Sequence, residues 1–293
     1  PAFLTWISDP AVINGDRDGD AMARELADML ATTDDRMEKL NMLRRFRRRE
    51  ILRIGARDIC LAGDFAAVVG EISALARATV QVALENARSQ RHDEVGRFCI
   101  LAFGKLGGGE LNYSSDIDLL AIYEPDPAIE DQEARAGRLF RQVVRDLTDF
   151  TVEGQAYRVD LRLRPWGNAG RLVYSIPTLE RYYGGEAELW ELQALLKLSP
   201  VAGDLELGWS MLEGLRPVVG SRVDRAGRAA VLQTVRHLRA RAVKEHNAGP
   251  DEDGSLVGTD VKNGEGGIRD IEFLVQALQL LHQRLAPEIV TGN

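Results

Sequence analysis

Phe98-Cys99-Ile100-Leu101-Ala102-Phe103, followed by Gly104-Lys105-Leu106-Gly107-Gly108-Gly109-Glu110-Leu111-Asn112-Tyr113-Ser114-Ser115 and then Asp116-Ile117-Asp118-Leu119, is the stretch that decides the fold. It opens with an apolar run of strand length, ended by a glycine. A glycine-rich connection leads into a second apolar run, Ile117 to Tyr123, which carries an Asp-x-Asp pair at its head. Alternate side chains of a strand share a face, so Asp116 and Asp118 lie on one side. Two carboxylates on one face repel unless a positive group lies between them, and a hard divalent cation held with substrate phosphates supplies it. Glycines let backbone N–H groups approach a phosphate closely, and Lys105 adds a point charge.

Neither element is specific alone. Surface strands often carry Asp-x-Asp pairs, and a glycine run is as often a tight turn. A third element adds weight. The segment Tyr157-Arg158-Val159-Asp160-Leu161-Arg162-Leu163-Arg164 alternates with period two, which predicts a strand ended by Pro165. On it Asp160 is flanked by Arg158, Arg162 and Arg164, while Val159, Leu161 and Leu163 face the other way. A carboxylate among arginines is often only a structural ion pair. Here it follows Asp118 by 42 residues, past one helix, so an adjacent strand can bring it to the same place. Three carboxylates, a glycine at a strand exit and phosphate-suited arginines describe a two-metal nucleotidyl-transfer site.

Outward from this centre the pattern is helical. Before it, Leu26, Met29 and Leu30, then Met37, Leu40, Leu43 and Ile51, then Phe65, Val68, Ile72, Leu75 and Val80 predict three helices between Asp20 and His92. The densest basic patch, Arg44-Arg45-Phe46-Arg47-Arg48-Arg49, reads first as the solvated face of a helix with Phe46 and Ile51 inward. A docking or anion-binding surface is the sharper alternative. Within the centre, Leu139, Val143, Val144 and Leu147 give a helix, and Leu172 to Tyr174 a further short run. From Pro177 onward helices are expected, one over 225–245 and one through Ile268, Ile271, Val275, Leu278 and Leu281. A mobile loop is expected over 247–267. The expected class is α+β: a small mixed sheet with helices over 95–205, between helical regions at 1–94 and 206–293.

Composition narrows the classes. The 293 residues carry 45 acidic and 37 basic side chains, a net charge of −8, and 45% are hydrophobic, too many for a disordered chain. Two cysteines, Cys60 and Cys99, make neither a disulfide framework nor a four-cysteine zinc site, so a cytoplasmic setting is expected. No uncharged apolar run approaches the ~18 residues of a membrane span. The acidic balance weighs against nucleic acid as a partner. The histidines His92, His237, His246 and His282 have no metal-ligand spacing, and Trp190 reads as a core residue. A start at Pro1 without Met, and a finish soon after the last helix, are read as the edges of a fragment with further helices beyond Asn293.

The order Gly104, Asp116, Asp118 and Asp160 resembles the nucleotidyltransferase superfamily of the polymerase-beta type. Within it, Gly104 to Leu119 resembles the signature of the glutamine synthetase adenylyltransferase/adenylyl-removing family. Tyr157 to Pro165 and Gly266-Gly267-Ile268-Arg269-Asp270-Ile271-Glu272-Phe273 are similar to further motifs of that family. Members carry two nucleotidyltransferase halves, and Asn112-Tyr113-Ser114-Ser115 with Arg269 resembles the N-terminal, adenylyl-removing one. The resemblance implies two Mg²⁺ or Mn²⁺ ions on Asp116, Asp118 and Asp160, with Gly104, Lys105, Ser115, Arg162 and Arg164 as phosphate contacts. It implies phosphorolysis of an adenylyl-tyrosine of glutamine synthetase, with phosphate as substrate and ADP as product. ATP-dependent adenylylation, or a silent half that docks a PII-type protein, are the alternatives. Implied partners are glutamine synthetase, a PII-type protein and the second half, with neither nucleic acid nor membrane. Arg269, Asp270 and Glu272 are expected to form a helix-packing or domain-orienting network. One departure stands out. Over Trp190-Glu191-Leu192-Gln193-Ala194-Leu195-Leu196-Lys197-Leu198 the family would have Trp-Glu-Arg-x-Ala and a later Lys-Ala-Arg, and those arginine positions are apolar here.

Overall fold

The computed structural model describes residues 6–7, 9–13, 15, 17–61, 63–91, 94–246, 262, 264 and 266–282. It is 66% helical with one mixed five-stranded sheet, the α+β class expected. Two compact units are present, Pro1–Leu179 with Lys197–Leu212, and Glu180–Leu196 with Glu213–Asn293. The expected boundary at residue 94 falls inside the first.

Among the described residues of the first unit, a short helix at Pro10–Ile13 and then the three longer helices that the apolar spacing predicts precede the sheet. Helix α1 (Gly19–Leu30) starts at Asp18, whose carboxylate accepts from Asp20 N, and buries Met22, Leu26 and Leu30 four residues apart. Helix α2 (Arg36–Leu61) buries Leu40, Leu43, Phe46 and Ile54. Helix α3 (Phe65–Ser89) is capped by Asp64, which accepts from Ala67 N at 3.0 Å. Met37 and Phe65, near the starts of α2 and α3, are exposed rather than on the inner faces. By length and composition α3 could cross a membrane, yet most of it is buried. It is the core helix, and its Val68, Ile72, Leu75, Val80 and Leu84 join one continuous apolar core with the sheet.

The basic stretch of α2 is only in part a solvated face: Phe46 is buried as expected and Arg45 and Arg48 face solvent, but the other arginines turn into the fold. Arg44 is buried and donates to the carbonyls of Leu40, Asp146, Asp149 and Gly154. Arg45 and Arg48 pair with Glu38 and Glu153, and Arg49 with Glu25 and Glu50. Arg47 lies over the Tyr157 ring. Fully buried Arg53 pairs with Glu50 and Glu71, and Glu71 also takes Arg57. Carboxylates of α2 itself, Glu38 and Glu50, and of other parts of the fold, Glu25, Glu71 and Glu153, pair with most of these arginines, and linear charge patterning does not show the distant ones.

Strand β1 (Phe98–Phe103) is buried throughout and lies between antiparallel neighbours. After one helical turn, α4 (Gly104–Gly107), the chain returns in β2 (Ile117–Tyr123), which places Phe103 opposite Asp118. Helix α5 (Gln132–Thr148) packs Leu139, Phe140, Val143 and Leu147 inward. Strands β3 (Val159–Asp160) and β4 (Val173–Ser175) both run parallel to β2 along its outer edge. The expected long strand over 157–164 is thus two residues only. Its alternation ends where Arg162 N donates to Asp160 Oδ1 at 2.8 Å, and the chain turns through 161–170. That turn is compact: Tyr174 Oη donates to Pro165 O at 2.7 Å, and a Cβ on Gly170 would fall 1.9 Å from the same oxygen.

A strand that the sequence reading lacks completes the sheet. After helix α6 (Ile176–Arg181), a π-helical turn at Tyr182–Glu186 and helix α7 (Leu189–Ala194), β5 (Ser199–Gly203) pairs with β1. Its proline hides it, but Pro200 sits on an edge strand, and the register shifts at Ile100/Leu101 opposite.

In the second unit, helix α8 runs over Leu205–His246, its first turns belonging to the first unit. It is broken at Gly227, whose φ 79° and ψ 161° only glycine adopts readily. Arg222 donates to the carbonyls of Tyr183 and Ala187. Helix α9 (Ile268–His282) is tied to α8 by Arg239 Nε donating to Asp270 Oδ1 at 2.9 Å, a helix-packing contact of the kind expected for Asp270. Trp190 is 37% exposed, not a core residue. The loop over 247–267 lies largely outside the described residues, as does His92.

Candidate active site

The parallel pairing of β2 with β3 sets Asp118 directly beside Asp160, and Asp116 precedes Asp118 by two residues at the mouth of β2. Gly104 closes the site from the other neighbour, β1. Its φ is +58°, and a Cβ there would lie 3.0 Å from Asp118 Oδ2. Only glycine gives both the left-handed turn and the room for that carboxylate.

The three carboxylates differ in setting. Asp118 is the most enclosed, and its pKa is pushed from 3.8 up to about 6. Burial is the main cause, then the charges of Asp160 and Asp116, with Arg162 opposing. Asp160 is held below the ordinary carboxylate range by Arg162. The guanidinium grips both oxygens, Nε to Oδ2 at 2.8 Å and Nη2 to Oδ2 at 2.6 Å, with Nε also 3.1 Å from Oδ1. Asp116 is exposed and accepts from Arg158 Nε, while Arg158 Nη2 reaches Ser114 O at 2.8 Å. Among the described residues no three His, Cys, Asp or Glu side chains are already gathered as a metal cage. Arg158 and Arg162 stand at two of the carboxylates instead, and both arginines are largely exposed. The donor set itself, three carboxylates on neighbouring strands, fits hard divalent cations.

The other expected residues divide. Gly104, Lys105 and Ser115 lie on the segment joining β1 to β2. Neither the Lys105 ammonium nor the Ser115 hydroxyl makes a side-chain bond among the described residues. Arg162 is on the site but engaged with Asp160. Arg164 turns away: its Nη1 donates to Leu161 O at 2.5 Å and its Nη2 to Asn168 O at 3.4 Å, bracing the turn after β3. Leu192, at one departure from the family pattern, is fully buried within its own unit.

Sequence reading missed two contributors. Arg158 belongs with Asp116, because the parallel register that sets Val159 beside Ile117 and Asp160 beside Asp118 brings Arg158 next to Asp116. Tyr113, inside the signature, donates from Oη to Asp58 Oδ2 at 2.9 Å and so fastens the loop to α2. That partner lies 55 residues earlier, and no local pattern points to it.

The family profile described as glutamate-ammonia ligase adenylyltransferase matches residues 1–214, the part that contains the sheet and all three carboxylates. A profile described as GlnD PII-uridylyltransferase matches 233–291. Among curated proteins, the chain is 39% identical over 250 residues to a bifunctional glutamine synthetase adenylyltransferase/adenylyl-removing enzyme of Streptomyces avermitilis, covering 84% of this chain and 24% of that protein. It is 36% identical over 297 residues to the enzyme of that description from Chromobacterium violaceum, covering 100% of this chain and 32% of the relative. For that of Thioalkalivibrio sulfidiphilus the figures are 34% over 284 residues, 92% and 28%. The chain thus spans about a quarter to a third of the length of these relatives. With the profile covering most of the chain and the carboxylate-bearing strands inside the matched part, this protein belongs to the glutamate-ammonia ligase adenylyltransferase family.

Proposed function

We propose that the chain removes the adenylyl group from an adenylyl-tyrosine of glutamine synthetase by phosphorolysis. The observation that carries the chemistry is the register of β2 against β3, with Asp118 beside Asp160 and Gly104 against Asp118. The names of the relatives support the substrate. The direction rests on the likeness of Asn112-Tyr113-Ser114-Ser115 and Arg269 to the adenylyl-removing half.

Asp116, Asp118 and Asp160 would hold two Mg²⁺ or Mn²⁺ ions, which when bound neutralise charge on the attacking and leaving oxygens. The remaining work falls to the chain. The segment from Gly104 to Ser115 lines the phosphate, with Lys105 as a mobile cation and the Ser115 hydroxyl as a donor. Arg158 and Arg162, released from Asp116 and Asp160, have the planar donors that suit an incoming phosphate. An oxygen of inorganic phosphate bonds to the adenylyl phosphorus as the bond from that phosphorus to the tyrosine oxygen breaks. The phenolate leaves and takes a proton from solvent, and the product is ADP. Arg164 serves by shaping the turn that carries Arg162. For the second unit, the match to a PII-uridylyltransferase profile supports regulation through a PII-type protein. Cytoplasmic residence follows from this reading.

The test incubates the chain with adenylylated glutamine synthetase, Mg²⁺ and phosphate, and follows ADP and the modified tyrosine. ADP should form, and Asp118→Asn or Asp160→Asn should lower the rate by about a thousandfold or more with the fold retained. Diphosphate release from ATP with unmodified glutamine synthetase, and no ADP, would reverse the direction. Full activity in both variants would remove the site.

A further inference from the structure

The core helix α3 presents an unusual row of polar side chains to the catalytic segment. Ser73, Arg77 and Gln81 follow one another at four-residue spacing and therefore share one face. Each engages backbone outside its own helix. Ser73 Oγ accepts from Leu111 N at 2.9 Å, at the far end of the glycine-rich segment. Gln81 Oε1 accepts from Gly203 N at 2.8 Å, at the end of β5. Between them Arg77 spreads over the junction of the two. Its Nη1 faces Pro200 O at 3.3 Å. Its Nη2 is shared among Ser199 Oγ at 3.2 Å, Leu106 O at 3.3 Å and Gly107 O at 3.5 Å.

That junction has no slack. A Cβ on Gly107 would lie 1.8 Å from Lys197 O and 2.3 Å from Ala102 O, so the turn after β1 is pressed against the entry to β5. Ser199 Oγ donates to Gly107 O at 2.8 Å across it, and Lys197 Nζ pairs with Glu110. Three residues before Gly107, Gly104 rests against Asp118. A displacement of the turn at Gly107 therefore carries directly to the carboxylate site.

Arg77 is an odd choice for a merely structural contact. It is half-buried, and among the described residues no carboxylate offsets its charge. Burial alone acts on it and lowers its pKa below the ordinary arginine value. Of the other buried arginines of the unit, Arg53 and Arg57 each have Glu71, Arg53 also has Glu50, and Arg44, held by carbonyls, has the charges of Asp146 and Asp149 acting on it. In place of a counter-charge Arg77 has carbonyl dipoles of the catalytic segment and of β5, at a desolvation cost that packing alone does not require.

We propose that Arg77 is a positioning residue for the catalytic segment, fixing the glycine turn against β5 so that Gly104 and Lys105 stay registered on Asp118. Ser73 and Gln81 anchor the two ends of the same seam. The structural part stands without any assumption about the reaction. Its kinetic consequence rests on the proposed phosphorolysis.

Two measurements on the full chain separate these layers, using wild type, Arg77→Met, Arg77→Lys and Ser199→Ala. The first is backbone amide hydrogen exchange without substrate. Arg77→Met should speed exchange over 104–111 by about tenfold or more while α1 and α5 keep wild-type rates, and Lys should recover part of the protection. The second is steady-state phosphorolysis. Arg77→Met should raise KM for phosphate by about tenfold, since small misplacements at a phosphate site are costly, with Ser199→Ala intermediate. A role in stability alone would lower Tm and the active fraction and leave KM unchanged. Uniform exchange changes, or KM within twofold of wild type in all three variants, would overturn the proposal. If Arg77→Met does not fold, Arg77→Lys and Ser199→Ala carry the same two readouts. If wild type makes no ADP while exchange over 104–111 responds as expected, Arg77 keeps its role and the functional reading fails.

Discussion

At the scale of single residues, the site is held in a state of electrostatic tension centred on Asp118. Its carboxyl keeps a proton up to about pH 6 in the folded chain, against 3.8 ordinarily. The folded state therefore binds more protons than the unfolded one between about pH 4 and 6, and stability falls as pH rises through that window. The difference corresponds to about 3 kcal/mol, reduced to about 1–2 kcal/mol by solvent on the open side of the site. Asp118→Asn should thus stabilise the metal-free chain by about 1–2 kcal/mol at pH 7.5 and leave it unchanged near pH 4, as measured by urea unfolding without divalent cations. A less stable variant at pH 7.5 would mean that Arg158 and Arg162 fully relieve the charge. At this scale the sequence was informative. Asp-x-Asp at a strand head needs only local periodicity, and the glycine that exits β1 is local too. Which arginine meets which carboxylate was not legible. That depends on where β3 stops, and an alternating sequence does not announce a turn imposed by Asp160 accepting from Arg162 N.

Among the elements, α2 and α3 are joined by charge as much as by apolar packing. Glu71 of α3 receives Arg53 and Arg57 of α2, and Arg17 N as well at 3.0 Å. Neutralising it leaves buried guanidinium groups without full compensation. Glu71→Gln should destabilise the chain by about 3 kcal/mol or more in urea unfolding. A loss below about 1 kcal/mol would show that Glu50 alone suffices for Arg53. Helix existence was legible from spacing, as with Leu26, Met29 and Leu30, because burial of one face imposes it. The fate of the arginines between Arg44 and Arg57 was not, since their partners Glu25, Glu71 and Glu153 come from other elements. Strand β5 escaped for a related reason. Ser199-Pro200-Val201-Ala202-Gly203 has a proline and small residues, and only pairing with β1 makes it a strand.

At the scale of the whole molecule, the two units are not consecutive in sequence. Glu180–Leu196 leaves the first unit to join the second, and Lys197–Leu212 returns to the first. A chain cut after Leu212 keeps every strand of the sheet but strands the excursion, which loses Arg222 at Tyr183 and Ala187 and Gln276 at Gln193. Limited proteolysis of such a truncated chain should cut within 182–194 while the sheet-bearing fragments stay together. Equal resistance to the full chain would show that the excursion is held by the first unit. The same routing sets a schedule for synthesis. Strand β1 is made about a hundred residues before its edge partner β5. At roughly 5–20 residues per second, its apolar, hydrogen-bond-hungry edge waits about 5 to 20 s on the ribosome for closure. During that interval the nascent chain offers a template for pairing with any neighbouring strand, so the choice of codons between Gly104 and Ser199 becomes a determinant of yield.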